Sequence, residues 1–295
     1  QGSRFKAACE VFSVRRRSLF PLFGCCFLLF FNPFFLRNTD YGLFDPSLTA
    51  EKRTAKKQLT LPSKIYRERR FHMFNPHTVP LPKYSRREDI VNCATHAPGA
   101  LFAVAALILC IVKLGASATG TQYAAVIIYS LCTFFLYSGS AIYHGLRPGF
   151  LKKIARLTDH SNVFLMITGS LSAYYLLGVI PVNRTLGIVL FTVSWVVTAA
   201  GILFTLMDQE RFKVLQMILY MVLGWSVVIS IKYVRGNSLE GQMLFRFIII
   251  GGIVYTVGAV LYGIGKKIPY IHAVFHIFIL AGTVLQFYGI YTFAL

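Results

Sequence analysis

The sequence predicts an all-α integral membrane protein, a seven-transmembrane-helix bundle, on three observations. Apolar residues make up 56% of the chain and charged residues only 14%, with a mean hydropathy of +0.60. The apolar residues come in long blocks: a bilayer core needs about 20 of them per helix, and residues 92–295 supply seven blocks joined by short connectors. The charge is distributed to match. Residues 1–91 hold 17 Lys/Arg and 7 Asp/Glu, and beyond them the basic residues lie almost entirely at block ends. That placement marks membrane topology and attraction to anionic lipid, and no nucleic-acid motif accompanies the net charge of +19. The chain therefore divides into a basic, mostly disordered extension, 1–91, and a membrane domain, 92–295.

Within the extension, Arg15-Arg16-Arg17 precedes a Phe-rich apolar run, Leu19 to Leu36, interrupted by Pro21 and Pro33. It resembles the apolar core of a signal segment without a small-residue cleavage site after it. An additional anchor, a targeting segment and upstream sequence foreign to the functional protein all fit. The last is preferred here, because Met73 offers a natural start. Asn38 to Ser85 is polar, basic and Pro-punctuated, with no sustained period, and reads as linker.

Segment 1 runs from about Asn92 to Leu114 and opens with Asn92-Cys93-Ala94-Thr95-His96. Segment 2, about Gln122 to His144, closes with Ser140-Ala141-Ile142-Tyr143-His144. The connector 145–158 carries Arg147, Lys152, Lys153 and Arg156. Segment 3 begins at Asp159-His160-Ser161-Asn162 and ends near Val179, before Pro181. Segments 4, 5 and 6 cover about Thr185–Met207, Phe212–Lys232 and Gln242–Gly265. Gly251, Gly258 and Gly265 recur every seven residues in segment 6, a small-residue stripe suited to close helix packing. Segment 7, about Tyr270 to Phe293, follows Lys266-Lys267-Ile268-Pro269. Asn183-Arg184-Thr185 forms a glycosylation sequon between segments 3 and 4.

The six cysteines, Cys9, Cys25, Cys26, Cys93, Cys110 and Cys132, form no C-x-x-C pair and indicate neither a disulfide framework nor a thiolate metal site. Orientation follows from basic residues in short connectors. With the N-terminus cytoplasmic, the inner side holds eight, Arg147, Lys152, Lys153, Arg156, Arg211, Lys213, Lys266 and Lys267, and the outer side four, Lys113, Arg184, Lys232 and Arg235. The expected arrangement is N-terminus inside, C-terminus outside, in the plasma membrane.

This topology assigns a depth to each polar residue. The starts of segments 1, 3 and 7 and the end of segment 2 share one leaflet. Thr95, His96, Ser140, His144, Asp159, His160, Asn162, His272 and His276 therefore converge at one level. Of the seven histidines, only His72 and His77 lie elsewhere. His272 and His276, at i,i+4, stack on one helical face, a metal-ligand spacing. Three neutral imidazoles from two helices leave a fourth position open, which is the pattern of catalytic zinc. Asp159 suits hydrogen bonding to a ligand imidazole or a bound water, and after Thr158 it also suits an ordinary helix N-cap. Ser140 lies one turn before His144 and fits a small packing residue as well. His96 and His160 read as interfacial caps rather than ligands.

Taken together, Asn92-Cys-Ala-Thr95-His96, Ser140-x-x-x-His144, Asp159-His160-Ser161 and Pro269-Tyr270-x-His272-Ala-x-x-His276 resemble the haemolysin III family. That family lies within the group of progestin and adiponectin receptors and is similar to the alkaline ceramidases. The resemblance covers about residues 82–293. It implies a cytoplasmic N-terminus and a Zn²⁺ ion near the inner face, held by His144, His272 and His276. Asp159 would hold the bound water, Ser140 would lie beside the site, and the family's acidic residue before the Thr-His pair would correspond to Glu88. Chemically, zinc in such a setting supplies activated water and a polarised carbonyl. The leading expectation is a zinc-dependent membrane lipid hydrolase, ceramidase-like, acting on a lipid amide or ester with Asp159 as base and Ser140 as oxyanion stabiliser. A cytolytic or pore-forming protein and a lipid-sensing receptor with a structural zinc are the rival classes.

Overall fold

Seven helices long and apolar enough to cross a membrane are present in the computed structural model, which describes residues 79–234, 238–265 and 267–295. They are α1 (Arg86–Leu114), α2 (Gly120–Gly145), α3 (Phe150–Tyr174), α4 (Arg184–Asp208), α5 (Lys213–Trp225), α6 (Leu239–Ile264) and α7 (Ile271–Phe293). A π turn, Tyr175–Val179, prolongs α3, and a 3₁₀ turn, Ser226–Ser230, prolongs α5. No strand occurs among the described residues. The Leu19–Leu36 run, Met73, His72, His77, Arg235, Lys266 and the first three cysteines lie outside them.

Local chemistry starts the helices where it should. Ser85 and Glu88 form a reciprocal capping box on α1, and Thr119 and Gln122 form one on α2. Asn183, the sequon asparagine, caps α4 by accepting from the Leu186 amide at 3.0 Å. The third helix is the axis of the bundle. Its apolar stretch is 72% buried, against 17–50% for the other six, and it packs on α2, α4, α5, α6 and α7. The surrounding helices turn Leu101, Val112, Val196 and Ile229 outward, as lipid-facing surfaces require.

The glycine stripe does what its spacing predicts. A Cβ on Gly251 would lie 2.5 Å from Gln286 Cγ and 2.9 Å from the Gly282 carbonyl oxygen, and one on Gly258 would lie 2.6 Å from Phe278 Cβ. The backbones of α6 and α7 thus approach to contact. Deeper in the same interface, Thr283 is a polar hub. Its hydroxyl donates to Ile279 O at 2.8 Å and is bonded to Tyr137 Oη at 2.7 Å and Tyr255 Oη at 3.0 Å. Tyr129 Oη adds a bond to the Thr283 carbonyl at 3.1 Å, so α2, α6 and α7 are locked in one register.

Two boundaries differ from expectation, both at the polar end. The first helix begins at Arg86, not Asn92, and the third at Phe150, inside the stretch taken as a connector. Lys152 and Arg156 look like loop charges by hydropathy but are spaced i,i+4, and both turn inward. Lys152 pairs with Asp89 at 2.6 Å, and Arg156 with Glu210 at 3.2 Å. Paired charges do not end a helix. Asp159 consequently lies mid-helix and is no N-cap.

Candidate metal centre

At one end of the bundle, the last turn of α2 and the first two turns of α7 bring three imidazoles together. His144 and His276 are fully buried and His272 is partly exposed. His272 Nε2 lies 3.2 Å from His144 Nε2 and 3.1 Å from His276 Nε2, and the three ligand atoms all fall within 4.8 Å of one another. A tetrahedral ion bound to imidazole nitrogen at about 2.0–2.1 Å sets its ligand nitrogens about 3.3 Å apart.

The outward-facing nitrogens decide which way the lone pairs point. His144 Nδ1 lies 3.2 Å from Asp89 Oδ1, and Asp89 Oδ2 accepts from Lys152 Nζ at 2.6 Å. A carboxylate can only accept here, so the proton is on Nδ1 and the Nε2 lone pair faces inward. His276 Nδ1 lies 3.1 Å from the Asn92 carbonyl and 3.0 Å from Thr95 Oγ1. Thr95 spends its own hydroxyl proton on α1 carbonyls, at 2.9 Å from Asn92 O and 3.1 Å from Val91 O. His276 is thereby also protonated on Nδ1. A proton on His272 Nε2 would satisfy only one of its two neighbours, since the His272 Nε2–H can reach one lone pair at a time. A cation at the focus of the three nitrogens satisfies all of them, so the donor set fits a metal ion.

Several neighbours fix the ligand rings. Tyr84 stacks on His272 with ring centroids 5.5 Å apart, and Tyr262 tilts against it at 5.0 Å. Burial beside Tyr262 and Tyr143 pushes the Tyr84 phenol far above its ordinary pKa, so it stays neutral. The start of α7 is set by Tyr270, whose φ of 63° is left-handed and whose amide donates to Glu88 Oε1 at 3.3 Å. A cavity of about 510 Å³ opens beside His272, with Tyr84, Asn92, Tyr262 and Tyr270 among its walls.

The predicted residues fall into two groups. His144, His272 and His276 meet directly. Ser140 and Asp159 lie beside each other across α2 and α3. Neither of the two histidines read as interfacial caps is one. His96 is buried, with its ring stacked on His276 at a centroid distance of 3.5 Å. His160 is half-buried on α3, nearly three turns past the helix start, and its carbonyl accepts from Tyr220 Oη at 2.8 Å. The acidic residue at the ligands is Asp89, one position after Glu88, which is occupied by the α1 capping box. Helical phase identifies Asp89: with Asn92 and His96 it makes an i, i+3, i+7 face, and all three are buried.

An all-helical, seven-span bundle with a buried histidine cluster at one end defines a polytopic membrane protein able to hold a metal ion. Residues 84–287 match the family model described as "Haemolysin-III related", and the chain belongs to that family. It is 30% identical over 209 residues to Hemolysin-3 of Bacillus cereus, covering 71% of this chain and 93% of the relative. It is 32% identical over 205 residues to the Hemolysin-3 homolog of Bacillus subtilis (strain 168), covering 70% and 93%. A shorter likeness, 24% over 99 residues, joins it to the human monocyte to macrophage differentiation factor, covering 34% of this chain and 40% of that one.

Proposed function

We propose that the protein is a zinc-dependent hydrolase of a membrane lipid amide or ester, with its N-terminus and metal centre on the cytoplasmic side. The observation that carries this reading is the inward convergence of three imidazole Nε2 atoms, with the one partly exposed ligand, His272, at the mouth of a cavity. Three protein ligands with access from outside is the composition of a catalytic rather than a closed structural site. Zinc held there supplies activated water near neutral pH and polarises a carbonyl. His144, His272 and His276 bind it, and Asp89 and the Asn92 carbonyl keep His144 and His276 in the binding tautomer. Asp159 orients the attacking water and takes its proton. Ser140, next to Asp159, turns its hydroxyl toward the developing oxyanion.

His272→Ala should lose bound zinc and lipid hydrolysis together. Hydrolysis surviving in a zinc-free variant would refute the reading. The name Hemolysin-3 carried by the Bacillus relatives supports a second reading, lysis of cells. Erythrocyte lysis by purified protein that persists in His144→Ala would favour it over catalysis.

A further inference from the structure

Asn92 has two faces with separate duties. Its backbone carbonyl is committed to His276 Nδ1 at 3.1 Å. Its carboxamide is 1% exposed, with Oδ1 and Nδ2 both lacking a protein partner, and the residue lines the cavity that opens beside His272. Leaving a buried amide without partners is costly, and such groups commonly occur where a ligand completes the bonding. The position is not adjustable. Asn92 lies one helical turn from His96, which packs on His276, and three residues from Asp89, which holds His144. The carboxamide is therefore carried on the same rigid helix face that orients two of the three ligand imidazoles.

We infer that Asn92 is a further catalytic residue, whose Nδ2–H donates to the carbonyl oxygen of the bound lipid and to the oxyanion that forms there. This rests on the proposed hydrolysis and deepens it. Water oxygen bonds to the acyl carbon while one water proton passes to Asp159, and the carbonyl π pair moves onto the oxygen facing Asn92. As that pair returns, the bond from the acyl carbon to the amide nitrogen or ester oxygen breaks. The leaving group takes the proton from Asp159, giving the carboxylic acid and the amine or alcohol. Asn92 supplies no proton; its neutral N–H is present before charge develops, which is what makes such a donor effective.

The test uses the full chain with zinc, comparing wild type with Asn92→Asp, which keeps size and shape but removes the donor, and Asn92→Leu. The probes are a long-chain N-acyl amine and a long-chain fatty ester in detergent micelles, and a dialkyl ketone of the same chain lengths that cannot be hydrolysed. Both variants should keep stoichiometric zinc, because the backbone holds His276, and should lose about 10²–10³-fold in kcat with little change in KM. Asn92→Asp hydrolysing within twofold of wild type overturns the inference and leaves the hydrolase reading standing. Loss of zinc in both variants overturns it also, since the side chain then acts through the metal. A wild type that binds the ketone at least tenfold more tightly than Asn92→Asp does, without hydrolysing either lipid, sinks the hydrolase reading while sustaining the carbonyl contact. A wild type that neither hydrolyses the lipids nor binds the ketone overturns both.

Discussion

Replacing Asp89 with Leu tests whether the buried Lys152–Asp89–His144 chain holds the metal centre in shape. Asp89 Oδ1 and Oδ2 bond His144 Nδ1 at 3.2 Å and Lys152 Nζ at 2.6 Å, and the Asp89 and Lys152 side chains are only 7% and 4% exposed. Two costs are expected, and they separate. Without its acceptor, His144 is free to move its proton to Nε2 and turn its lone pair away. Loss of such an outer partner lowers metal affinity about 10–100-fold, which is about 1.4–2.7 kcal/mol. The orphaned Lys152 ammonium, left buried without its carboxylate, adds about 3–5 kcal/mol of destabilisation. Asp89→Leu combined with Lys152→Met removes the orphan. The double variant should therefore regain most of the thermal stability and none of the metal affinity, a non-additive pair in a double-mutant cycle. Chelator-competition titration reads the affinity, and thermal unfolding with and without metal reads the stability. If Asp89→Leu binds zinc within twofold of wild type, the tautomer argument for the whole site is wrong.

Gly251→Ala should destabilise by about 1–3 kcal/mol, because its Cβ would meet the α7 backbone; Gly252→Ala, with nothing within 4 Å, should be neutral or gain up to about 1 kcal/mol, and thermal unfolding of the two compares them directly. Thr283→Val strands the Tyr137 hydroxyl in the interior and leaves Tyr255 only its bond to Gln286 Oε1, so unfolding should show a loss of about 1–3 kcal/mol with zinc stoichiometry retained, as the hub lies two turns from His276. Removing metal with a chelator should lower the thermal midpoint of wild type, following the linkage of binding to stability, and should leave His276→Ala unmoved. A reporter fused after Leu295 should be accessible from outside the cell; a cytoplasmic signal would reverse the orientation drawn from the connector charges.

Much of the architecture is legible in the chain because hydrocarbon imposes a simple rule: apolar blocks of span length must become helices. The glycine period of α6 is equally local, since residues seven apart share a face whatever they pack on. The i,i+4 pair His272/His276 and the terminal His144 are visible for the same reason, and their shared depth follows from counting spans. Sequence pattern and structure part where charge is buried. Lys152 and Arg156 read as loop residues until partners are found for them, and those partners, Asp89 and Glu210, are 63 and 54 positions away in sequence. Glu88 and Asp89 are adjacent carboxylates, alike in sequence and different only in helical phase: one caps α1 at its surface, the other faces His144.

The sequence by itself determined that this is a seven-span membrane protein with histidines gathered at one level, because span length, periodicity and connector charge are properties of local chain. Tertiary structure alone decided which nitrogens face each other, which carboxylate orients them, and that Asn92 presents an unpaired amide beside them. Those facts depend on side chains from α1, α2, α3 and α7 meeting within hydrogen-bond distance, and no pattern along one helix records what stands across from it.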